Sequence, residues 1–353
     1  MRRLAVCMAL CLLLSGCTGW MEGSYVSIKP HTEKNDPSQQ ERITVSGVED
    51  ILTALDQLIG RGSETGTLHV SGMDEEAVKA AMTQAVSEML SMHPVAVFVA
   101  EDITWELGTA GNAPALAVTI HYNQNRVQLR NIRKAASMDA MSSLIATALR
   151  SCEPYLLLQV SDYTATDFAQ LVRDHADTYP EQVMEVPQVT VEMYPEKGAQ
   201  RVIELRFAYQ TAAEALRDMQ EYVQPVFAAA SLYVLGEEEQ LRKFDQLHSF
   251  LMGRNDYTVA TSITPAYSLL RHGVGDSRAF SVVYAAMCQD AGLECQVVSG
   301  TRQGEAHFWN MLCIDGVWWH IDLLGSPTAL QTMSDGEMAG YVWDYSAYPT
   351  CPS

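Results

Sequence analysis

The sequence is short of positive charge. Its 353 residues include 23 Lys and Arg against 43 Asp and Glu, which gives a formal net charge of −20 at pH 7. A surface of this sign repels phosphate backbones and anionic lipid headgroups. The composition therefore argues against nucleic-acid binding and against adhesion to a membrane through charge.

Long hydrophobic runs are missing after the first residues of the chain. The one apolar run, Leu4–Leu14, follows Arg2 and Arg3. It is too short to span a bilayer, and the order of positive start, apolar run and small residues is that of a secretory signal. The beginning of the chain therefore predicts export.

The sequence Leu14-Ser15-Gly16-Cys17 closes this run and resembles the bacterial lipobox. The resemblance implies a signal peptide of residues 1–16, acylation of Cys17, and a protein held by lipid on the extracytoplasmic side of the cell membrane. Each buried methylene of such a lipid contributes about 0.8 kcal/mol. Cleavage would leave 21 basic and 43 acidic residues. The alternatives are an ordinary signal peptide cleaved elsewhere and a buried apolar helix.

Cysteines that could form a disulfide framework are few. Of the eight, Cys7 and Cys11 would leave with the signal and Cys17 would carry the lipid, so an odd number of five remains. Cys288, Cys295 and Cys313 lie in apolar contexts typical of buried packing residues. A pair between Cys288 and Cys295 stays open.

No metal site and no cofactor is expected. The chain offers His307, His320, Cys313 and Asp322 close together in sequence, but their spacing matches no recognised set of metal ligands.

Residues 17–46 are polar and lack an apolar period, which predicts a flexible tether between the lipid and the folded chain.

From residue 47 to residue 212 the sequence repeats one order of elements, helix, strand, helix, strand, strand. In the first unit these elements lie around residues 53–55, 68–71, 78–89, 103–106 and 117–122, and in the second around 147–149, 158–161, 168–179, 189–192 and 204–209. We therefore predict two α-β-α-β-β modules, residues 47–135 and 136–212. Two unrelated α/β segments are the alternative.

The modules contain no cluster of catalytic residue types. Their histidines, His69, His93, His121 and His175, are scattered, and we interpret each as a surface or hydrogen-bonded side chain. Binding or spacing is the role expected of the modules.

Three motifs in the last third of the chain resemble those of the transglutaminase-like (papain-like) superfamily over roughly residues 235–345. They are Gly273-Val274-Gly275-Asp276-Ser277-Arg278-Ala279-Phe280, then His307-Phe308-Trp309-Asn310, then Trp318-Trp319-His320-Ile321-Asp322. The resemblance implies an α+β domain, residues 213–353, after the two modules. It places Ser277 at the nucleophile position, His307 as the base and Asp322 as the residue that orients the histidine, with Trp309 and Asn310 as walls of the site.

The residue types of these motifs suit such chemistry. A nucleophile at a helix N-terminus lies beside unpaired N–H groups and the positive end of the helix dipole. A histidine can hold its proton, and a carboxylate can fix the tautomer of that histidine. Asp315-Gly316 predicts a hairpin that brings His307 and Asp322 side by side.

Ser277 departs from the family because the superfamily has cysteine at this position. A hydroxyl is far less acidic than a thiol, so a site built for a thiolate does not activate it automatically. Three hypotheses follow: a non-catalytic domain that binds a peptide or a cell-envelope component, a Ser-His-Asp hydrolase or acyltransferase that uses Ser277, and a purely structural envelope protein. Transglutaminase activity is not expected.

Overall fold

The computed structural model describes residues 43–124, 126–254 and 257–352. The predicted signal peptide, Cys17 and most of the predicted tether lie outside the described residues. Among the helices that are described, none combines the length and the apolarity needed to cross a bilayer.

The first part of the structure is a four-stranded sheet with helices packed on it. Its elements are β1 (Ile43–Val45), α1 (Val48–Gly60), β2 (Thr65–Val70), α2 (Glu75–Met92), α3 (Pro94–Val99), β3 (Ala100–Ala110) and β4 (Ala113–Tyr122). The strand order is β1-β2-β4-β3, with β1 parallel to β2 and the other pairs antiparallel. Apolar residues at helical spacing on α1 and α2, including Ile51, Leu55 and Met82, are buried against this sheet.

The second part has the same topology. Its elements are α4 (Arg126–Arg130), β5 (Ile132–Ala135), α5 (Met138–Arg150), β6 (Tyr155–Val160), α6 (Phe168–Thr178), β7 (Gln188–Tyr194) and β8 (Arg201–Ala208). The strand order is β5-β6-β8-β7, again with one parallel pair followed by antiparallel pairs. The prediction of an α+β fold is confirmed.

Each of these sheets begins with a strand that the sequence prediction missed. Ile43–Val45 belongs to the first sheet, so the predicted tether of residues 17–46 ends too late. Ile132–Ala135 pairs with β6 of the second sheet, although the first module was predicted to extend to residue 135. A two-residue period needs at least four residues to be recognised, and Ile43–Val45 has only three. Ile132–Ala135 has four, but Arg133 and Lys134 are adjacent polar residues, so the apolar and polar residues do not alternate.

The third part contains the motifs. Its elements are α7 (Ala213–Tyr233), α8 (Gln240–Met252), β9 (Thr258–Val259), α9 (Pro265–His272), β10 (Val274–Gly275), α10 (Ser277–Asp290), β11 (Cys295–Arg302), β12 (Glu305–Ile314), β13 (Val317–Ile321) and β14 (Tyr341–Trp343). The helices α7 and α8 are separated around Gly236, which adopts a left-handed conformation with φ 90°. The sheet has the order β13-β12-β11-β14 and is antiparallel throughout.

Helix α10 lies at the centre of the third part. Phe280, Val283, Tyr284 and Met287 are fully buried, and the Tyr284 hydroxyl donates to the Phe244 carbonyl oxygen at 2.8 Å. The same core continues into the second part through Cys152 and Met184. The packing fixes the N-terminus of α10 against the sheet, where the motifs meet.

Candidate functional site

Ser277 is the first residue of α10. The Asp276 carboxylate before it accepts the N–H of Ala279 at 2.9 Å and caps the helix. A Cβ on Gly275 would lie 3.1 Å from Leu269 Cδ1 and 3.2 Å from Ala279 Cβ, so glycine allows this close approach. Ser277 is partly exposed. The local sequence therefore holds a hydroxyl at the positive end of a long buried helix.

The Ser277 hydroxyl is hydrogen-bonded to the backbone of β12. Its oxygen accepts the N–H of Phe308 at 3.1 Å. This N–H is available because β13 ends at Ile321, opposite Asn310, and no strand among the described residues pairs with this side of β12 at Phe308. In the described part of the chain, no hydrogen bond joins Ser277 to His307.

His307 and Asp322 are in direct contact. The hairpin predicted at Asp315-Gly316 forms, with φ of 51° and 81° at the two turn residues. His307 Nε2 lies 2.9 Å from Asp322 Oδ2, and the carboxylate is almost completely buried. The geometry is that of a carboxylate fixing the orientation and tautomer of an imidazole.

The Asp322 carboxylate also holds two side chains that the motifs did not indicate. Arg302 Nη1 donates to Oδ2 at 3.0 Å, and the Tyr341 hydroxyl donates to the same oxygen at 2.6 Å. Burial alone would raise the pKa of Asp322, but the hydrogen bonds from His307 and Tyr341 outweigh burial and lower this pKa below its usual value. Asp322 is therefore a carboxylate at neutral pH, shared among three donors.

Trp309 and Asn310 do not line a cleft, contrary to the prediction that they form walls. Both are fully buried, because Asn310 lies against α10 on one face of the sheet and Trp309 packs against Tyr341 and Trp343 of β14. The Asn310 side-chain amide donates to the Ser281 carbonyl oxygen at 2.9 Å and joins the sheet to α10. The Trp309 ring stacks beside His307, with ring centroids 6.3 Å apart and an interplanar angle of 21°. Their contribution is to position neighbouring groups from the interior.

His320, Asp335 and Cys351 bring an imidazole, a carboxylate and a thiol within 4.8 Å of one another. The Trp309 indole N–H, which can only donate, is 3.0 Å from His320 Nδ1, so that nitrogen carries a lone pair. Burial lowers the pKa of His320, and the neutral ring then holds its proton on Nε2, which donates to Asp335 at 2.9 Å. A metal ion bound at Nε2 would need that nitrogen free of its proton, with the proton on Nδ1 donated to a neighbouring acceptor. Nδ1 instead accepts the Trp309 N–H. The three groups fit a buried hydrogen-bonded chain and do not fit a metal site.

The cysteines of this part are thiols. Cys288 and Cys295, for which the sequence left a disulfide open, are both free in the structure. Burial raises the pKa of the Cys288 thiol well above its usual value, so this side chain is a packing group, as predicted from its apolar context.

A groove of about 550 Å³ lies beside the site, between α6 of the second part and α10 and β11 of the third. Its lining includes Arg278 and Phe308 but neither Ser277 nor His307. Arg278 bonds both oxygens of Asp177 on α6, at 2.7 and 2.8 Å, and thereby connects the residue after Ser277 to the second part. No motif in the sequence indicated this contact.

Two of the missed residues differ in how far the sequence could have revealed them. Arg302 ends β11 directly before the turn Gln303-Gly304 and pairs with Glu305. Predicting a hairpin at this turn from the sequence would have placed Arg302 near His307. Tyr341 comes from a three-residue strand far along the chain, and nothing in the sequence indicates its contact with Asp322.

Comparison with known proteins supports the motif-based resemblance. The core model of the transglutaminase-like superfamily matches residues 228–323, which contain Ser277, His307 and Asp322. A search of curated proteins finds no match.

Several solved structures are similar to the chain at low sequence identity. A crystal structure described as a TGase has 11% identity and a TM-score of 0.28, covering 69% of this chain and 68% of that chain. A protein of Parabacteroides distasonis assigned as a protease has 11% identity and a TM-score of 0.24, covering 47% and 39%. A protein of Cytophaga hutchinsonii assigned as a cysteine protease has 13% identity and a TM-score of 0.26, covering 44% and 70%. With the family match and the three motifs together, residues 228–323 are a domain of the transglutaminase-like superfamily.

Proposed function

We propose that the protein is a lipid-anchored extracytoplasmic lipoprotein whose transglutaminase-like domain does not catalyse acyl transfer and binds a peptide or another cell-envelope component. The observation that carries this proposal is the hydrogen bonding of Ser277. Its oxygen accepts the Phe308 N–H, and in the residues described it has no hydrogen bond to His307.

The chemistry of serine explains why this arrangement favours an inactive site. A serine nucleophile needs a base within hydrogen-bonding distance to remove its proton during attack, because the free hydroxyl does not ionise near neutral pH. A cysteine at a helix N-terminus can ionise before attack. Replacing the thiol of the family with a hydroxyl therefore removes the nucleophile and leaves the surrounding fold intact.

A Ser-His-Asp hydrolase or acyltransferase acting on amide or ester bonds is the second candidate. The observation in its favour is the contact of 2.9 Å between His307 and Asp322, which is the orienting half of a triad. In this case Ser277 would be the nucleophile, His307 the general base and Asp322 the residue that fixes the tautomer.

Labelling with a fluorophosphonate separates the two candidates. We expect no labelling of the wild-type chain at Ser277, as in a Ser277→Ala control. We expect a Ser277→Cys variant to react readily with iodoacetamide, because the new thiol would lie at a helix N-terminus beside the Phe308 N–H.

Labelling of wild-type Ser277 that disappears in a His307→Ala variant would instead establish a working serine triad. The Ser277→Cys variant shows in the same experiment whether the site is folded and accessible, so absence of labelling in the wild type can be attributed to the hydroxyl.

A further inference from the structure

More than half of β11 has an open edge. All of Cys295–Arg302 pairs with β12 on one side, but on the other side β14 covers only residues 300–302. Among the residues that the structure describes, no strand pairs with the outer side of residues 295–299. This edge is part of the sheet that carries His307.

The direction of the backbone groups on this edge follows from one hydrogen bond. The N–H of Ser299 points away from β12, because it donates to the hydroxyl of Tyr348 at 3.2 Å. Alternate residues of a strand present their backbone groups to the same side, so the N–H and C=O of Val297 and Cys295 face outward as well. An open edge of this kind is a template for another extended chain.

The groove of about 550 Å³ lies along this edge and is lined by Cys295, Val297 and Ser299. This volume falls in the range of roughly 300–1,000 Å³ found for ligand sites. Five residues of strand edge extend over about 16 Å. The groove therefore has room for a short extended peptide.

The opposite wall of the groove is the face of α6 that carries Gln170, Arg173, Asp174 and Asp177 at helical spacing. Arg278 contributes a second cation beside Asp177. The groove thus has two positive and two negative side chains on a protein that is strongly acidic overall. This balance suits a neutral or zwitterionic peptide, and it gives no preference for a basic one.

We propose that an extended peptide segment binds in this groove by adding a strand to the open edge of β11, in line with β14. This inference rests on the proposed function and specifies where and how the peptide binds. Main-chain hydrogen bonds to Val297 supply most of the recognition. Apolar side chains of the peptide face Phe308 and Ala286, and its polar side chains face α6.

The experiment uses a soluble form containing residues 18–353, which holds the whole compact unit. A phage library of random heptapeptides is selected on this protein, and an enriched peptide is synthesised with a fluorophore for anisotropy measurements. The peptide is then methylated at one backbone nitrogen at a time. Strand addition predicts that binding weakens at least tenfold at every second position and little at the positions between.

A substitution in β11 tests the same mode from the protein side. Val297→Pro removes the outward N–H and places a ring on the open edge, where proline is tolerated. We expect at least a tenfold loss of affinity. Val297→Ala is the matched control because it also shortens the side chain but keeps the N–H, so Val297→Pro should bind at least tenfold more weakly than Val297→Ala.

The outcomes separate the inference from the function on which it rests. A peptide that binds Val297→Pro as tightly as the wild type, with no alternation in the methylation scan, overturns strand addition but leaves peptide binding established. Failure to enrich any peptide overturns strand addition and the peptide-binding form of the proposed function, whereas the fluorophosphonate experiment tests separately whether Ser277 is catalytic. If Val297→Pro does not fold, as judged by circular dichroism, the methylation scan on the wild-type protein decides.

Discussion

Asp322 illustrates how one buried residue organises this site. Its Oδ2 oxygen accepts hydrogen bonds from His307, Arg302 and Tyr341 at once. The side chain is 2% exposed, whereas that of Arg302 is 37% exposed, so the ion pair is screened by water on one side only. The carboxylate therefore supports stability as well as the orientation of His307.

We expect Asp322→Asn to lower the free energy of unfolding by about 2–3 kcal/mol at pH 6, toward the lower end for a broken buried pair because Arg302 can be hydrated. The folded protein holds the pKa of Asp322 below that of the unfolded chain, near 3.9. The carboxylate therefore stabilises the folded state above about pH 4, and this stabilisation is lost as the pH falls through the pKa of Asp322 in the folded protein.

Urea unfolding of both proteins between pH 3 and pH 7 measures this effect. The difference in free energy of unfolding between the wild type and Asp322→Asn should shrink as the pH falls below 4. A difference that is constant over the whole range would contradict a charged Asp322.

At the residue scale, the sequence motifs indicated Ser277, His307 and Asp322, and the structure brings them to one region. The burial of Trp309 and the contacts of Tyr341 could not be predicted, because both depend on β14 closing the sheet beside β11. A strand of three residues leaves no periodic signal in the sequence.

At the scale of the element, the N-terminus of α10 depends on its cap. The Asp276 side chain accepts the Ala279 N–H and also the Thr261 hydroxyl, at 2.9 Å in both cases. These two bonds connect the start of the helix to the preceding loop, and they determine the position of Ser277.

We expect Asp276→Ala to lower the free energy of unfolding by about 1–2 kcal/mol, because a helix N–H loses its acceptor. Asp276→Asn keeps an acceptor and should cost only a few tenths of a kcal/mol. Guanidinium unfolding of both variants tests this expectation. Equal losses in the two variants would show that the charge matters and the cap does not.

The helices were easier to predict than the strands. α2 shows apolar residues at helical spacing over several turns, so it was predicted from the sequence. α10 is buried on nearly all sides and has no such spacing, and the motif resemblance indicated where it begins. β1 and β5 are short and gain their stability from pairing with β2 and β6, which lie far along the chain. Strand formation there depends on tertiary contacts that local sequence does not specify.

At the scale of the whole molecule, the two similar sheets share apolar contacts. Phe98 on α3 of the first part packs against Tyr194 of the second, with ring centroids 5.1 Å apart. Leu157 and Val202 of the second sheet belong to the same buried cluster. The two sheets are therefore expected to unfold together.

We expect Phe98→Ala to lower the free energy of unfolding by about 3–5 kcal/mol. The whole chain should then melt at a lower temperature, still in a single transition. Phe168→Ala, which truncates the core of the second part alone, is the matched control and should also give one transition. Calorimetry measures both. A separate early transition in the Phe98→Ala protein would show that the first sheet unfolds independently.

The proposed lipid anchor is tested by Cys17→Ser, expressed with the full signal. We expect the wild-type protein in the membrane fraction and in the detergent phase of a partition experiment, and the variant in the aqueous phase, because the acyl chains supply the attachment. Retention of the variant in the membrane after a high-salt wash would contradict anchoring through Cys17.

The hydrogen bond between the Phe308 N–H and Ser277 has a consequence for protein engineering. The N–H that now holds a neutral hydroxyl lies where a negatively charged sulfur would need support. Exchange of one oxygen atom for sulfur would place a thiolate between this donor and the helix terminus, with an oriented imidazole on the neighbouring strand. The domain is thus a starting scaffold in which a cysteine enzyme could be built without redesigning the backbone.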